Sequence, residues 1–473
     1  MPPLAHHTTL AHTKRLRLSK GQRASIVAES ETRHLLSRLV WVCLWILLIP
    51  EFIPPLQEIF SGLRINLPVR LIGFAGALIL TRPILADWTI CWPFLFVFCT
   101  AFFSTVLNRF VGNQWGGGTG SVYPAATGLA IDNEWEGLTA SVYPTITAAA
   151  IYLMVIATVT NRRRFVLFSI FMIAAALVTS GILVWENVTS DRSISSSGQM
   201  DVARGILENQ NWLATFILGG LSSCFCLLEL YSQGWRWKLL IVLVVGLYLS
   251  SFFTGSRGTV VAATFLVGLW FVATKSRQRA LGILALTLIL GLLWSIQSLD
   301  VVSYTFGRLS GTNAEEVVEE TRYDLIVDAL DIWRENILFG AGWGAVLEKT
   351  EHAAHMTITG LLAETGVIGL VLFYLPVLVI MGRGFHLSKS KSRQNTTYHG
   401  VLRVLVIGLM GFLVHGLFNE TYFNKSFYIN LGLLVGIMQA NRLRPWPLKA
   451  TLLRDDKRRH SIDPNPLSPN RPF

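Results

Sequence analysis

Apolar runs close to the length needed to cross a bilayer recur along the whole chain, and no other feature constrains its fold as strongly. They lie at 39–56, 67–81, 88–107, 141–160, 165–184, 211–230, 238–254, 258–274, 280–297, 356–381, 398–415 and 426–440. Only helices and closed barrels satisfy their backbone groups in hydrocarbon, and a helix needs about 20 apolar residues to cross it. The runs therefore predict an all-α polytopic membrane protein with about 12 transmembrane helices. The second and last runs are short, and Arg70 interrupts the second. The soluble domains that 473 residues would otherwise suggest are excluded, because 52% of residues are hydrophobic and 15% charged.

Charge assigns the two faces. With alternating spans, the side that holds both termini carries roughly three times as many Lys and Arg as the other. That bias places residues 1–38 and 441–473 in the cytoplasm as basic tails, with the transmembrane domain at 39–440 between them. The first run has no small-residue cleavage site behind it and is read as a retained span. The net charge of +11 sits mostly in the tails and suits anionic lipid rather than nucleic acid, for which no binding module is present. All five cysteines (Cys43, Cys91, Cys99, Cys224, Cys226) fall in apolar segments, which predicts buried thiols and neither a disulfide framework nor a zinc site.

The largest external loop, 298–355, is too long for a bare connection. Thr321-x-x-Asp324 resembles a capping box ahead of Leu325, Ala329, Ile332 and Trp333 at helical spacing. An amphipathic helix over 321–336, lying on the outer membrane surface, is the expectation. Gly340, Gly342 and Gly344 follow as a turn; no strand precedes them, so a dinucleotide loop is rejected. Either they simply turn the chain, or they bring backbone close to a substrate or to a histidine.

Candidate chemistry gathers on this external side. His355 and His352, three apart, share a helical face without the third ligand a zinc site wants; neutral imidazole can serve as a general base or sit solvated at the interface. Arg257 in Thr254-Gly255-Ser256-Arg257-Gly258 sits between two apolar runs, where arginine either snorkels to headgroups or faces a cavity and grips an anion such as a phosphate. Arg322 and Arg204 carry the same argument from loops, where a surface ion pair is the simpler role. Arginines for an anion and a histidine for a base, all on one face, fit a substrate that is both lipid-anchored and phosphorylated.

At four places the chain resembles the O-antigen ligase / O-antigen polymerase family of bacterial membrane glycosyltransferases. These are Arg204-Gly205 with Asn209-Gln210-Asn211-Trp212-Leu213-Ala214; Ser256-Arg257-Gly258; Arg322 followed by Phe339-Gly340-Ala341-Gly342; and His355 followed by Glu364-x-Gly366-x-x-Gly369-Leu370. They occur in the family's order over about residues 200–375. Two positions depart from the pattern: Met356 stands where the family has asparagine, and Thr359 where it has leucine. The resemblance implies a GT-C-type helical fold and a periplasmic active site in the bacterial inner membrane. It implies an undecaprenyl-diphosphate-linked glycan as donor, and lipid A core or another glycan as acceptor. It implies no metal and no other cofactor. His355 would be the base and Arg257, Arg322 and Arg204 the diphosphate ligands, with His352, Glu364, Gly340 and Gly342 in support. Ligase and polymerase both remain open. The reading from another class is a lipid-linked oligosaccharide flippase or solute transporter, for which repeated halves and polar groups at mid-membrane would be expected.

Overall fold

The structure, a computed structural model, describes residues 20–49, 66–82, 87–101, 136–189, 210–231, 233–254, 256–273, 282, 316–350, 356–389, 396–422 and 424–443. Among these residues there are helices and turns and no strand. In chain order the helices are α1 (Lys20–Leu48), α2 (Asn66–Thr81), α3 (Trp88–Thr100), α4 (Glu136–Thr158), α5 (Arg162–Thr189), α6 (Gln210–Leu230) and α7 (Trp235–Phe253). There follow α8 (Arg257–Ala273), α9 (Glu316–Glu335), α10 (Ala345–Thr350), α11 (Thr357–Ser388), α12 (Thr396–His415) and α13 (Lys425–Leu443). Each predicted run overlaps a helix except 280–297, which lies outside the described residues apart from 282; residues 50–56 and 102–107, at the ends of two others, lie outside them too.

Among the described residues, five helical stretches are long and apolar enough to cross a membrane: Arg162–Trp185, Leu213–Leu230, Trp235–Phe253, Thr357–Ser388 and Thr397–His415. Shorter apolar helices, Pro68–Thr81, Trp88–Thr100, Pro144–Thr158 and Arg257–Ala273, pack among them. The chain is thus a helical multi-pass membrane protein set in a lipid bilayer. The Leu213–Leu230 stretch of α6 is 94% buried, which makes it the central post. It packs against α5, α7, α8, α12 and α13. A helix wrapped on all sides has no face to turn to water, and Thr215, Ser222 and Ser223 are buried on α6 along with its apolar residues. Cys43, Cys224 and Cys226 are buried as expected, whereas Cys91 and Cys99 are only half-buried; all five thiols are free.

Contacts between helix ends show that the helices alternate in direction. At one end of the bundle, Asp87 caps α3 by accepting the Thr89 N–H and hydroxyl at 3.2 and 2.6 Å. The same carboxylate takes Arg383, near the end of α11, at 3.2 Å and Gln439 of α13 at 3.4 Å. Arg164 at the start of α5 donates to the Thr158 carbonyl at 3.0 Å and to Ser37 of α1. Arg403, an arginine stranded inside an apolar run in the sequence, donates to the Ala273 carbonyl at 3.1 Å. A cation at the C-terminus of α8 is favoured by the unpaired carbonyls there.

The Asp87 cluster carries a pH dependence. Burial pushes its carboxyl up, but the Thr89 hydroxyl and N–H, with Arg383, more than offset this and leave it below the usual carboxylate range. A depressed folded-state pKa gives stability that is fully present above the unfolded value of about 3.9 and is lost as pH falls through the folded value. Asp87→Asn keeps the helix cap. We predict that it costs under about 1 kcal/mol at pH 7, because Arg383 is largely solvated. In melts of both proteins across pH, the difference should shrink as pH falls below ~4; a difference that stays constant with falling pH would sink this assignment.

Two expectations about boundaries need correction. Helix α9 begins at Glu316, not Thr321, so Thr321 lies inside the helix and the Thr-x-x-Asp pattern is not its cap. Glu316, Glu319 and Glu320 are good helix formers and suit the positive end of a helix, which extends it backward. The run 356–381 is not one straight span. Helix α11 continues to Ser388 and is broken at Gly366, whose φ of 66° and ψ of −169° are not helical.

A candidate active site at one end of the bundle

The break in α11 is closed by the glycine turn. Gly366 frees backbone groups on both sides of itself, and the segment 337–342 takes them up. Val367 and Ile368 donate to the carbonyls of Ile337 and Leu338 at 3.0 and 3.1 Å. In the other direction, Ala341 and Gly342 donate to the carbonyls of Ala363 and Glu364 at 2.7 and 3.0 Å. A broken helix in a membrane protein must have its orphaned groups satisfied in this way. Gly340, Gly342 and Gly344 all have positive φ (70°, 113° and 85°). At Gly340 a side chain would also collide with the backbone of Glu364 and Thr365. Of the two roles open to the glycines, the observed close approach of Gly340 is to the backbone of α11.

Helix α9 docks on this same half of α11. Leu325, Ala329 and Ile332 turn inward and are buried, with Ala329 and Ile332 packed around Val346 and Ala363. The predicted amphipathic face is therefore real, and a protein surface covers it.

Glu364 sits at the centre of the seam and is 5% exposed. Its Oε1 accepts the Gly344 N–H at 3.2 Å and its Oε2 accepts the Tyr422 hydroxyl at 3.0 Å. Trp343 packs edge-on to Tyr422 and donates its indole N–H to Thr100 of α3 at 3.2 Å. One carboxylate thus ties α11, the glycine turn and the turn after α12. We predict that Glu364→Ala destabilises the protein by about 2–4 kcal/mol, since two buried donors lose their acceptor. Glu364→Gln retains an acceptor and should cost about 1 kcal/mol. Thermal melts of the detergent-purified variants test the order, and equal losses in the two would refute it.

The second group of contacts joins α8 to α11. Arg257 is the first residue of α8 and is half-buried. The next residue, Gly258, lies against the turn after α12: a side chain there would stand 2.5 Å from Phe418 Cβ and 3.2 Å from Asn419 Nδ2. Asn419 in turn accepts the Thr357 hydroxyl on its carbonyl at 2.8 Å. Thr357 opens α11, donates its N–H to the Gly416 carbonyl at 2.9 Å, and accepts the Thr421 N–H on Oγ1 at 2.8 Å. Beneath this clamp lies His415, fully buried, with its Nε2 3.1 Å from Asn419 Nδ2. Arg257 is thereby carried to the end of the bundle where the chain enters α11, opposite the Asp87–Arg383 end.

Of the residues singled out in the sequence, Glu364, Gly340 and Gly342 come together in the seam, and Arg257 stands at the neighbouring clamp. His355, His352 and Arg204 lie outside the described residues. Arg322 lies on α9, and its side chain is outside them too. Thr357, His415, Asn419 and Tyr422 were not anticipated. Their only signal was the polar stretch Asn419-Glu420-Thr421 between two apolar runs. Among the described residues, no three of His, Cys, Asp and Glu are grouped so as to hold a metal ion. Neither a family model nor a curated protein matches the chain.

Proposed function

We propose that this protein is an O-antigen ligase-like membrane glycosyltransferase acting on the periplasmic face of the bacterial inner membrane. It moves a glycan from an undecaprenyl diphosphate carrier to an acceptor hydroxyl, as a step in cell-surface polysaccharide synthesis. What supports the reading above all is the clamp through Asn419. It joins Gly258, next to Arg257, to Thr357, two residues beyond His355. Residues drawn from two of the resembling motifs, distant in sequence, so converge on one end of the bundle.

In this mechanism His355 takes the proton of the acceptor hydroxyl as its oxygen attacks the anomeric carbon. The bond from that carbon to the diphosphate oxygen breaks, and the electron pair leaves with the lipid diphosphate. Arg257 at the N-terminus of α8, aided by Arg322 and Arg204, neutralises the charge that develops there; a helix N-terminus favours an anion for the same reason. The acceptor is lipid A core for a ligase, or a second lipid-linked glycan for a polymerase, and both remain within the proposal.

The break at Gly366 favours one rival, since broken helices also hold ligands in transporters. A single experiment separates the two. Purified protein in liposomes is given a synthetic undecaprenyl-diphosphate glycan with candidate acceptors in chelator, and both glycan transfer and translocation are followed. Transfer supports the proposal and reveals the acceptor; translocation without transfer, across several glycans and acceptors, replaces it with the transporter.

A further inference from the structure

We propose that His415 is a positioning residue, which orients the Asn419 amide and so clamps the start of α11 against the start of α8. The inference rests on the reading that Arg257 and His355 act in transfer, and it names what would hold their two segments in register.

Four observations carry it. First, His415 is wholly buried at the end of α12, and among the described residues its Nδ1 meets no hydrogen-bond partner. Second, its other ring nitrogen faces the side-chain amide of Asn419: Nε2 meets Nδ2 at 3.1 Å, so the ring and the amide are paired. Third, the Asn419 backbone N–H donates to the His415 carbonyl at 3.0 Å, so both side chain and main chain of Asn419 are referred to one residue.

Fourth, Asn419 passes this order on in two directions. Its amide lies against Gly258, and its carbonyl takes the Thr357 hydroxyl proton. With that proton committed, the Thr357 oxygen has lone pairs for both the N–H and the hydroxyl of Thr421, at 2.8 and 3.0 Å. The result is a closed set of hydrogen bonds spanning α12, the turn after it and the first residue of α11. Loosening it would let the start of α11 shift against the start of α8, and in the proposed mechanism those two starts set the spacing of the base and the anion ligand as a pair. Displacements of about 1 Å in such a pair are enough to cost two orders of magnitude in rate.

The test compares full-length wild type with His415→Leu, His415→Gln and His415→Asn, each purified in detergent and checked by thermal melt. Glutamine places an acceptor near the Nε2 position; leucine and asparagine do not. Amide exchange followed by mass spectrometry should accelerate tenfold or more in the peptides carrying Thr357 and Thr421 for the leucine and asparagine variants. Peptides of α1 and α2 should be unchanged, and glutamine should restore slow exchange. In the transfer assay, kcat should fall at least tenfold in the leucine and asparagine variants, with KM for the lipid-linked donor unchanged.

Unchanged exchange in a folded leucine or asparagine variant overturns the proposal, and so does a glutamine variant as loose as leucine. If leucine fails to fold, asparagine decides. Full kcat despite a loosened clamp would leave His415 a structural residue and end its positioning role. If the wild type transfers nothing, the glycosyltransferase reading fails on its own, while the exchange result still decides whether His415 holds the clamp.

Discussion

Replacing Gly366 with alanine is expected to prevent accumulation of folded protein. The backbone at this position has φ 66° and ψ −169°, a region that residues with a Cβ scarcely populate, at a cost of about 1–3 kcal/mol. The added methyl would also run into the Leu338 carbonyl and stand 2.6 Å from the Gly340 nitrogen. Those are main-chain atoms, and they cannot rotate away as a side chain would. To make room, the turn must lift off α11, and with it go the hydrogen bonds from Val367 and Ile368 to Ile337 and Leu338. Each such bond is worth about 0.5–1.5 kcal/mol net and more when left unmade inside a membrane. The combined loss is about 4 kcal/mol or more, against a typical total of 5–15. Gly340→Ala attacks the same seam from the other strand, by collision with Glu364 and Thr365, and should act similarly. The two together should be far less than additive, because either one opens the same contact. Yield of monodisperse protein after detergent extraction, with thermal melts of what survives, measures this. A well-folded Gly366→Ala protein with an unchanged melt would show that the two segments are not in backbone contact.

The contrast between Gly366 and the helices around it explains what could be read from sequence. Apolar length is a local property, and the membrane rewards it directly, so α5, α6, α7 and α12 follow from their runs. The sidedness proposed for the bundle rests on another local property, basic residues at span ends such as Arg162-Arg163-Arg164 at the start of α5. A break within an apolar run has no such signature, because hydropathy is indifferent to whether the residue at its centre is helical. Gly366 was visible as part of a motif, and the turn that fills its gap stands some 25 residues earlier in the chain. Only tertiary packing joins them. His415 was hidden for a related reason: as the last residue of an apolar stretch it was absorbed into the span, although it sits where the polar turn begins. Thr321 misled in the opposite sense. Its local pattern is a genuine capping signal, but the glutamates before it are stronger helix formers and carry α9 back to Glu316.

The largest effects on activity are expected at His355 and Arg257. Loss of a positioned general base typically lowers the rate by about 10²–10⁴-fold, and His355→Ala should fall in that range. Arg257→Ala removes a cation from the N-terminus of α8, where charge on the departing diphosphate is concentrated in the proposed mechanism. Loss of one such electrostatic contact costs about 10²–10³-fold. Arg257→Lys distinguishes charge from geometry. Lysine keeps the cation and lacks the fork that holds two phosphate oxygens at once, so it should recover about tenfold over alanine and no more. Melts of both alanine variants at the wild-type midpoint would confirm that the losses are chemical. Single-turnover transfer with a lipid-linked donor reads all of these on one scale. Transfer that survives His355→Ala and is lost in His352→Ala would move the base by three residues, a shift that Met356, where the resembling family has asparagine, would make understandable. An Arg257→Ala protein with undiminished turnover would remove the anion from the start of α8, and with it the reason for that arginine to stand between two apolar helices.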